Sequence, residues 1–267
     1  MTEREYRQHP AVSRSELWKI RESPEKFKYF KEHPEESTPA LVLGQALHKL
    51  ALQPESFYDE FAVSETYDRR TKVGKEAYTA FCEANSGKTI ITAEQLQQIN
   101  GMVKSMFENP MSRKILMGAT SKEKEYFWVD EPTGEECKCR ADIVTKIGDI
   151  PLVVDIKTTT CAETGFFMKE AVKYGYDFQS GFYCDGINKC EGVEHGFCII
   201  AVEKEEPYAV NILMADKNFL QRGTDLFREY LGIYHECKQS GNWYGYLGKT
   251  GAVNDLKLPA YLAKEVE

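Results

Sequence analysis

The sequence has 267 residues, 42% of them apolar, and a net charge of −8. A chain of this size can bury a sizeable core, so we expect a single domain over residues 1–267. It contains neither a run of about 18 apolar residues nor a signal-peptide pattern, so we expect a soluble cytoplasmic protein without a membrane partner. The negative charge disfavours general affinity for phosphates and would require a local basic surface in any nucleic-acid-binding protein.

Residues 1–118 have mainly helical patterns. Ser13 and Glu16 have the spacing of a capping box, and Pro24 suits the first turn of the following helix. Apolar periodicity and capping residues predict three longer helices, over residues 39–52, 72–84 and 92–108.

From about Lys122 the helical period gives way to strand patterns. Three strands joined by short turns predict an antiparallel meander, over residues 125–129, 137–146 and 152–157. The following segments predict helices over 162–174, 177–188 and 217–238, with strands over 196–203 and 208–213. Residues 119–240 therefore predict an α/β core, a sheet covered by helices, behind a helical N-terminal part.

The eight cysteines favour reduced, packed thiols. Most lie inside apolar segments, as Cys184 and Cys198 do. Cys137 and Cys139 form a closely spaced pair, but no second pair follows nearby to complete a zinc or iron–sulfur site. We therefore expect neither disulfides nor a cysteine-bound metal.

Two ionisable residues, Asp155 and Lys157, stand in an otherwise apolar strand. Residues two apart on a strand leave the same face, about 6.5–7 Å apart, and burying either charge unpaired is costly. A turn near Gly148 could place Asp142 beside Asp155, with Cβ atoms about 4.5–5.5 Å apart, close enough to share Mg²⁺ or Mn²⁺. On these residues alone, a surface Asp–Lys pair with a chance neighbour is an equally good interpretation.

The spacing of these residues resembles the motif of the PD-(D/E)xK nucleases. Asp142, twelve further residues and then Asp155-Ile156-Lys157 follow that motif, with Ala141 in place of its proline. Upstream, Gly44 to His48 resembles the G-x-x-x-H helix of the RecB-like and RecE-like branches. Together with the Q-x-x-x-Y helix described next, these motifs stand in the order of the family, and the whole set is harder to dismiss than any single motif.

The other flanking segments point to the RecE-like exonucleases, the exonuclease VIII nuclease domain common in phages. Gln179 to Tyr183 resembles the Q-x-x-x-Y helix of these enzymes, and Val12 to Leu17 resembles their N-terminal segment. Residues four apart share one helical face, so each helical pair can point into one site. The resemblance extends over roughly residues 8 to 240.

This resemblance implies a restriction-endonuclease-like core with a mixed central sheet, and Mg²⁺ as cofactor, with Mn²⁺ able to substitute. It implies metal ligation by His48, Asp142, Asp155 and the backbone carbonyl of Ile156. It implies catalytic roles for Asp142, Asp155, Lys157, Gln179 and Tyr183. In these roles Lys157 acts on the attacking water, while Gln179 and Tyr183 position the substrate or hold Lys157.

The resemblance also implies 5′-to-3′ digestion of double-stranded DNA from its ends. The expected partners are an annealing recombinase that takes the 3′ single strand and three further copies of the chain in a ring. The expected setting is a phage or prophage in the cytoplasm of its bacterial host. An endonuclease or single-strand nuclease of the same fold, and a non-catalytic DNA-binding adaptor, remain alternatives. A candidate basic track, whose other interpretation is an ordinary solvated face, consists of Arg69, Arg70, Lys72 and Lys75.

Overall fold

The computed structural model describes residues 3–34 and 37–258. Within these ranges the helices are α1 (Glu3–Gln8), α2 (Arg14–Leu17), α3 (Pro24–Glu32), α4 (Pro39–Leu52), α5 (Phe57–Glu60), α6 (Lys72–Ala84), α7 (Ala93–Glu108), α8 (Pro110–Met117), α9 (Thr164–Lys173), α10 (Tyr176–Glu191) and α11 (Lys217–Ser240). The strands are β1 (Val12–Ser13), β2 (Phe61–Ser64), β3 (Thr89–Thr92), β4 (Ser121–Val129), β5 (Glu136–Ile147), β6 (Ile150–Thr159), β7 (Gly196–Glu203) and β8 (Val210–Met214).

Local capping starts the N-terminal helices where the sequence predicts. Ser13 and Glu16 form the capping box of α2, and the Ser23 side chain accepts from Lys26 N ahead of Pro24. Thr38 caps α4, which has the predicted bounds of residues 39–52. These caps satisfy backbone N–H groups that a helix start otherwise leaves without partners.

The main sheet has six strands and is mixed. The predicted meander is confirmed, because β4 pairs antiparallel with β5 and β5 pairs antiparallel with β6. β6 then pairs parallel with β7, and β7 pairs antiparallel with β8. β4 pairs along one edge of β5. β1 and β6 both pair with the other edge of β5, at different positions along that strand.

Helices cover both faces of this sheet, as the α/β prediction requires. Alternate residues of β6 supply the two core layers: Val153 packs in one, while Val154 and Ile156 pack in the other. The first layer contains α10 and α11, and the second contains α4, α7 and α8. The functional site therefore has a rigid strand at its centre with a helical layer on each side.

The N-terminal part contains structure that the pattern analysis did not predict. β2 and β3 form a separate parallel pair, and α8 begins at Pro110, directly after α7. Asn109 follows the last residue of α7. Asn109 also caps the next one, accepting from Ser112 N with its side chain, while proline suits a first helical turn.

Candidate active site

The candidate site lies where β5 and β6 separate. Regular pairing of these strands ends at Ile143 and Val154, so Asp142 and Asp155 face each other one position beyond the ladder. There the Ile156 N–H donates to Oδ2 of Asp142 at 2.7 Å instead of to a backbone carbonyl. Both aspartates are almost fully buried. The cross-strand placement predicted from the turn near residue 148 is thus the placement found.

Asp155 is held from two sides. Its Oδ2 lies 2.5 Å from Nζ of Lys157, and its Oδ1 accepts a short hydrogen bond from Nε2 of Gln179. Burial raises the pKa of the Asp155 carboxyl, and the charge of Lys157 opposes that rise. Lys157 also lies over the ring of Tyr176, 4.9 Å from its centroid. Gln179 therefore holds the Asp155 carboxylate in place, and Lys157 lies between that carboxylate and the Tyr176 ring.

His48 connects α4 to the two strands. Its Nε2 lies 2.8 Å from the carbonyl oxygen of Ile156, and its Nδ1 lies 3.4 Å from Oδ2 of Asp142. Burial by itself would lower the pKa of His48, but the charge of Asp142 and its hydrogen bond raise it to about 9. An imidazolium can donate to both oxygens, so a charged ring satisfies this geometry at neutral pH.

The two aspartates have pKa values shifted in opposite directions. Burial by itself would raise the pKa of Asp142. The charge of His48 and the hydrogen bond from the Ile156 N–H outweigh this effect of burial, so the pKa of Asp142 lies below its usual range. The pKa of Asp155 lies above its usual range. Neighbouring carboxyls that differ in this way can take different parts in a proton transfer.

The donor atoms around His48 suit a divalent cation. Ligand atoms of His48, Glu123 and Asp142 all lie within 4.8 Å of one another, and the Ile156 carbonyl oxygen is a further neighbour of His48. Hard carboxylate and carbonyl oxygens are the donors that Mg²⁺ and Mn²⁺ prefer. The residues present therefore fit a cation. Among the predicted ligands, Asp155 instead directs its oxygens at Lys157 and Gln179.

Comparison with known families decides how this geometry is classified. Residues 13–255 match the family described as a PDDEXK-like domain of unknown function (DUF3799). The chain belongs to this PDDEXK-like family. No match is found among curated proteins.

Solved structures agree with the restriction-endonuclease-like fold of the PDDEXK-like family. A protein of Eubacterium rectale named as a proposed exonuclease is 16% identical, with a TM-score of 0.64, over 99% of this chain and 97% of that chain. Two further solved structures are much less similar. The protein SSO0001 is 12% identical, with a TM-score of 0.31, over 72% of this chain and 86% of that chain. The protein VC1899 of Vibrio cholerae is 14% identical, with a TM-score of 0.23, over 85% and 56%.

Helix α10 brings Gln179 and Tyr183 of this PDDEXK-like domain to one face. Gly175 starts α10 in a left-handed conformation, with φ of 67°, and a Cβ there would lie 2.5 Å from the Trp18 ring. Gln179 contacts Asp155, as described. Burial raises the pKa of Tyr183 well above its usual range, and the charges of Asp155 and Asp142 add to the rise. Tyr183 itself is packed against the buried core on this side of the sheet.

Three residues around the PDDEXK-like site escaped the sequence analysis. Glu123 lies on β4 beside the first acid, Tyr176 contacts Lys157, and the Arg14 guanidinium donates to the carbonyls of Tyr174 and Gly175 at 2.6 Å. Only pairing of β4 with β5 reveals Glu123, and the packing of α2 against α10 places Arg14. Sequence signals existed for Tyr176, which stands one helical turn before Gln179, and for Arg14, which lies in the Val12 to Leu17 segment.

The remaining predicted surface and cysteine features have simple placements. The candidate basic track lies in an exposed segment around the start of α6, a helix without a buried residue. All eight cysteines are free. Among the residues described, no helix combines the length and apolar character needed to cross a membrane.

Proposed function

We propose that this protein is a Mg²⁺-dependent exodeoxyribonuclease that digests linear double-stranded DNA from 5′ to 3′. The observation that carries the proposal is the meeting of Asp142, Asp155 and Lys157 where β5 and β6 separate, beside His48. Membership of the PDDEXK-like family supports nuclease chemistry. The resemblance to RecE-like exonucleases supports the choice of substrate and direction.

A cation held by Asp142, Asp155, the Ile156 carbonyl and a deprotonated His48 would stabilise charge on the phosphate and acidify a bound water. Lys157 can donate to the attacking water or to a phosphate oxygen, and its charge stabilises the negative charge that builds there. Gln179 prevents the Asp155 carboxylate from rotating away from Lys157. Hydrolysis forms a bond from the water oxygen to phosphorus and breaks the bond to the leaving deoxyribose oxygen, which takes a proton.

The test is release of acid-soluble nucleotides from linear duplex DNA with Mg²⁺, with Mn²⁺ and with EDTA. Asp155→Asn and Lys157→Met should each lower release by at least about a hundredfold, because they remove groups that act on the reacting atoms. Asp149→Asn, at the exposed turn joining the same two strands, is the matched control and should retain full activity.

Substrate form and end label separate the alternatives. Loss of a 5′ label before a 3′ label from a linear duplex, with a closed circle left intact, supports a 5′-to-3′ exonuclease. Cutting of the circle would instead indicate an endonuclease, and preference for single strands would indicate a single-strand nuclease. Binding of DNA without cleavage under every metal condition would point to an adaptor.

The proposal extends to recombination. Digestion from 5′ ends leaves 3′ single strands, the substrate of an annealing recombinase, and a homotetrameric ring would keep the enzyme on its DNA. Such a ring would place the exposed basic segments of several copies near one duplex. Many weak contacts of that kind would offset the net charge of −8.

A further inference from the structure

Glu123 occupies a special position on β4. Lys122 pairs with Ile143 and Lys124 pairs with Ala141, so Glu123 faces Asp142 across the two strands. This one position interrupts an otherwise continuous ladder. Glu123 has a φ of 49°, a left-handed conformation that non-glycine residues adopt rarely and usually at some energetic cost. The backbone thus leaves the regular strand where it passes the first acid of the motif.

The consequence is a row of three carboxylates across three neighbouring strands. Asp142 on β5 has Asp155 on its β6 side and Glu123 on its β4 side. A carboxylate oxygen of Glu123, a ring nitrogen of His48 and an oxygen of Asp142 lie within 4.8 Å of one another. Glu123 is only partly buried, unlike the two aspartates.

The electrostatics of the row support cation binding on the Glu123 side. Lys157 and Gln179 already contact both oxygens of Asp155, whereas Glu123 and Asp142 converge on His48. Like charges this close repel unless a proton or a cation stands between them.

We propose that Glu123 is a ligand of the divalent cation, together with Asp142 and His48, and that it adds to this chain a carboxylate that the D-x12-D-x-K motif does not contain. The inference rests on the proposed function for the presence of a cation, but it concerns binding and not turnover. Glu123 then binds the cation from the β4 side of Asp142, while Asp155, on the β6 side, is the acid that also contacts Lys157.

The test uses Mn²⁺ alone, without DNA, titrated into the wild-type chain and followed by the electron paramagnetic resonance of the free ion. Glu123→Gln should weaken Mn²⁺ affinity by at least about tenfold, the lower end of the loss seen when groups that support a metal site are removed. Glu136→Gln, which removes an exposed carboxylate from the same hairpin, should leave the affinity within about twofold.

Two further measurements separate ligation from a structural effect. Glu123→Gly can adopt the left-handed backbone without strain, so it should fold at least as well as the wild type and still bind Mn²⁺ weakly. Water-proton relaxation per bound Mn²⁺ should rise in Glu123→Gly, because a water replaces the lost carboxylate oxygen. Neither change is expected if Glu123 only shapes the strand.

The outcomes distinguish this inference from the proposed function. Wild-type affinity for Mn²⁺ in both Glu123 variants, with unchanged relaxation, overturns the role of Glu123 and leaves the nuclease proposal standing. Absence of Mn²⁺ binding by the wild type overturns both. If the wild type cleaves no DNA but binds Mn²⁺, and the Glu123 variants bind Mn²⁺ more weakly, the ligand assignment is supported and the nuclease proposal is rejected.

Discussion

Helix α11 crosses the site helix α10 at two glycines, and a methyl group added there should disturb both packing and chemistry. A Cβ at Gly223 would overlap the carbonyl oxygen of Asp177 and lie 2.5 Å from its carbonyl carbon. A Cβ at Gly181 would similarly meet the Gly223 backbone, 2.7 Å from its oxygen. Backbone atoms cannot rotate away as a flexible side chain can, so Gly223→Ala must push the helices apart.

The size of the effect follows from these distances. Carbon atoms in contact lie about 3.5–4.0 Å apart, so α11 must move by about 1 Å near Asp177. Overpacking of this kind costs about 1–3 kcal/mol, reduced by the better helix propensity of alanine, worth up to about 1 kcal/mol. A displacement of about 1 Å in α10 would also shift Gln179 relative to Asp155, and misplacement on that scale can cost about a hundredfold in rate.

Gly232 provides the matched control, because it lies on the same helix with nothing within 4 Å of an added Cβ. Gly232→Ala should raise the free energy of unfolding in urea by up to about 1 kcal/mol through helix propensity alone. Gly223→Ala gains the same propensity but is overpacked, so its free energy of unfolding should lie about 1–3 kcal/mol below that of Gly232→Ala, and its nuclease activity should also be lower. Equal stability of the two variants would refute the argument that the backbones touch at Gly223.

Two further predictions concern charges away from the site. Asp130 is fully buried and accepts from Thr133 and Arg228, so Asp130→Asn should cost about 1.5–3 kcal/mol in urea unfolding at pH 7. Burial alone would raise the pKa of Asp130, but these bonds lower it from 3.8. The stabilisation that the charged carboxylate provides is therefore present above pH 3.8 and is lost as the pH falls through the lower pKa of the folded protein. A stability difference between wild type and Asp130→Asn that is undiminished at about pH 2 would contradict this. The candidate basic track consists of Arg69, Arg70, Lys72 and Lys75. If it contacts DNA phosphates, changing all four residues to glutamine should reduce the slope of log K against log salt concentration by about 3–4. An unchanged slope would show that these residues form an ordinary solvated face.

The elements that the sequence predicted share strong local signals. Helix α4 has a capping threonine, a proline in its first turn and a continuous apolar stripe, and the β4–β5–β6 meander has short turns between β-rich segments. These signals do not depend on distant parts of the chain. The same holds for the placement of Asp142 opposite Asp155, because one short turn sets the register.

The unpredicted elements depend on long-range pairing. β2 and β3 pair in parallel across a 24-residue connection that contains α6, and each has only four residues. β1 has two residues and pairs with β5 far along the chain, where Lys138 also donates to the carbonyls of Tyr6 and His9. No periodicity can develop over so few positions. The position of Glu123 in the site was not predicted for a related reason, since it becomes visible only once β4 is aligned with β5.

Each buried aspartate at the site has a cationic side chain of the protein as its partner, His48 for Asp142 and Lys157 for Asp155. With a pKa of about 9, His48 is charged at neutral pH, and together with Lys157 it offsets Asp142 and Asp155. Burying an unbalanced charge would cost several kcal/mol, so this balance lets the strands and helices assemble around the site before any metal binds. Cation binding then costs the proton of His48 and not the fold. Chelation with EDTA should therefore stop DNA cleavage while leaving the circular dichroism spectrum unchanged, and unfolding by EDTA would show that the cation, and not the imidazolium, balances these acids.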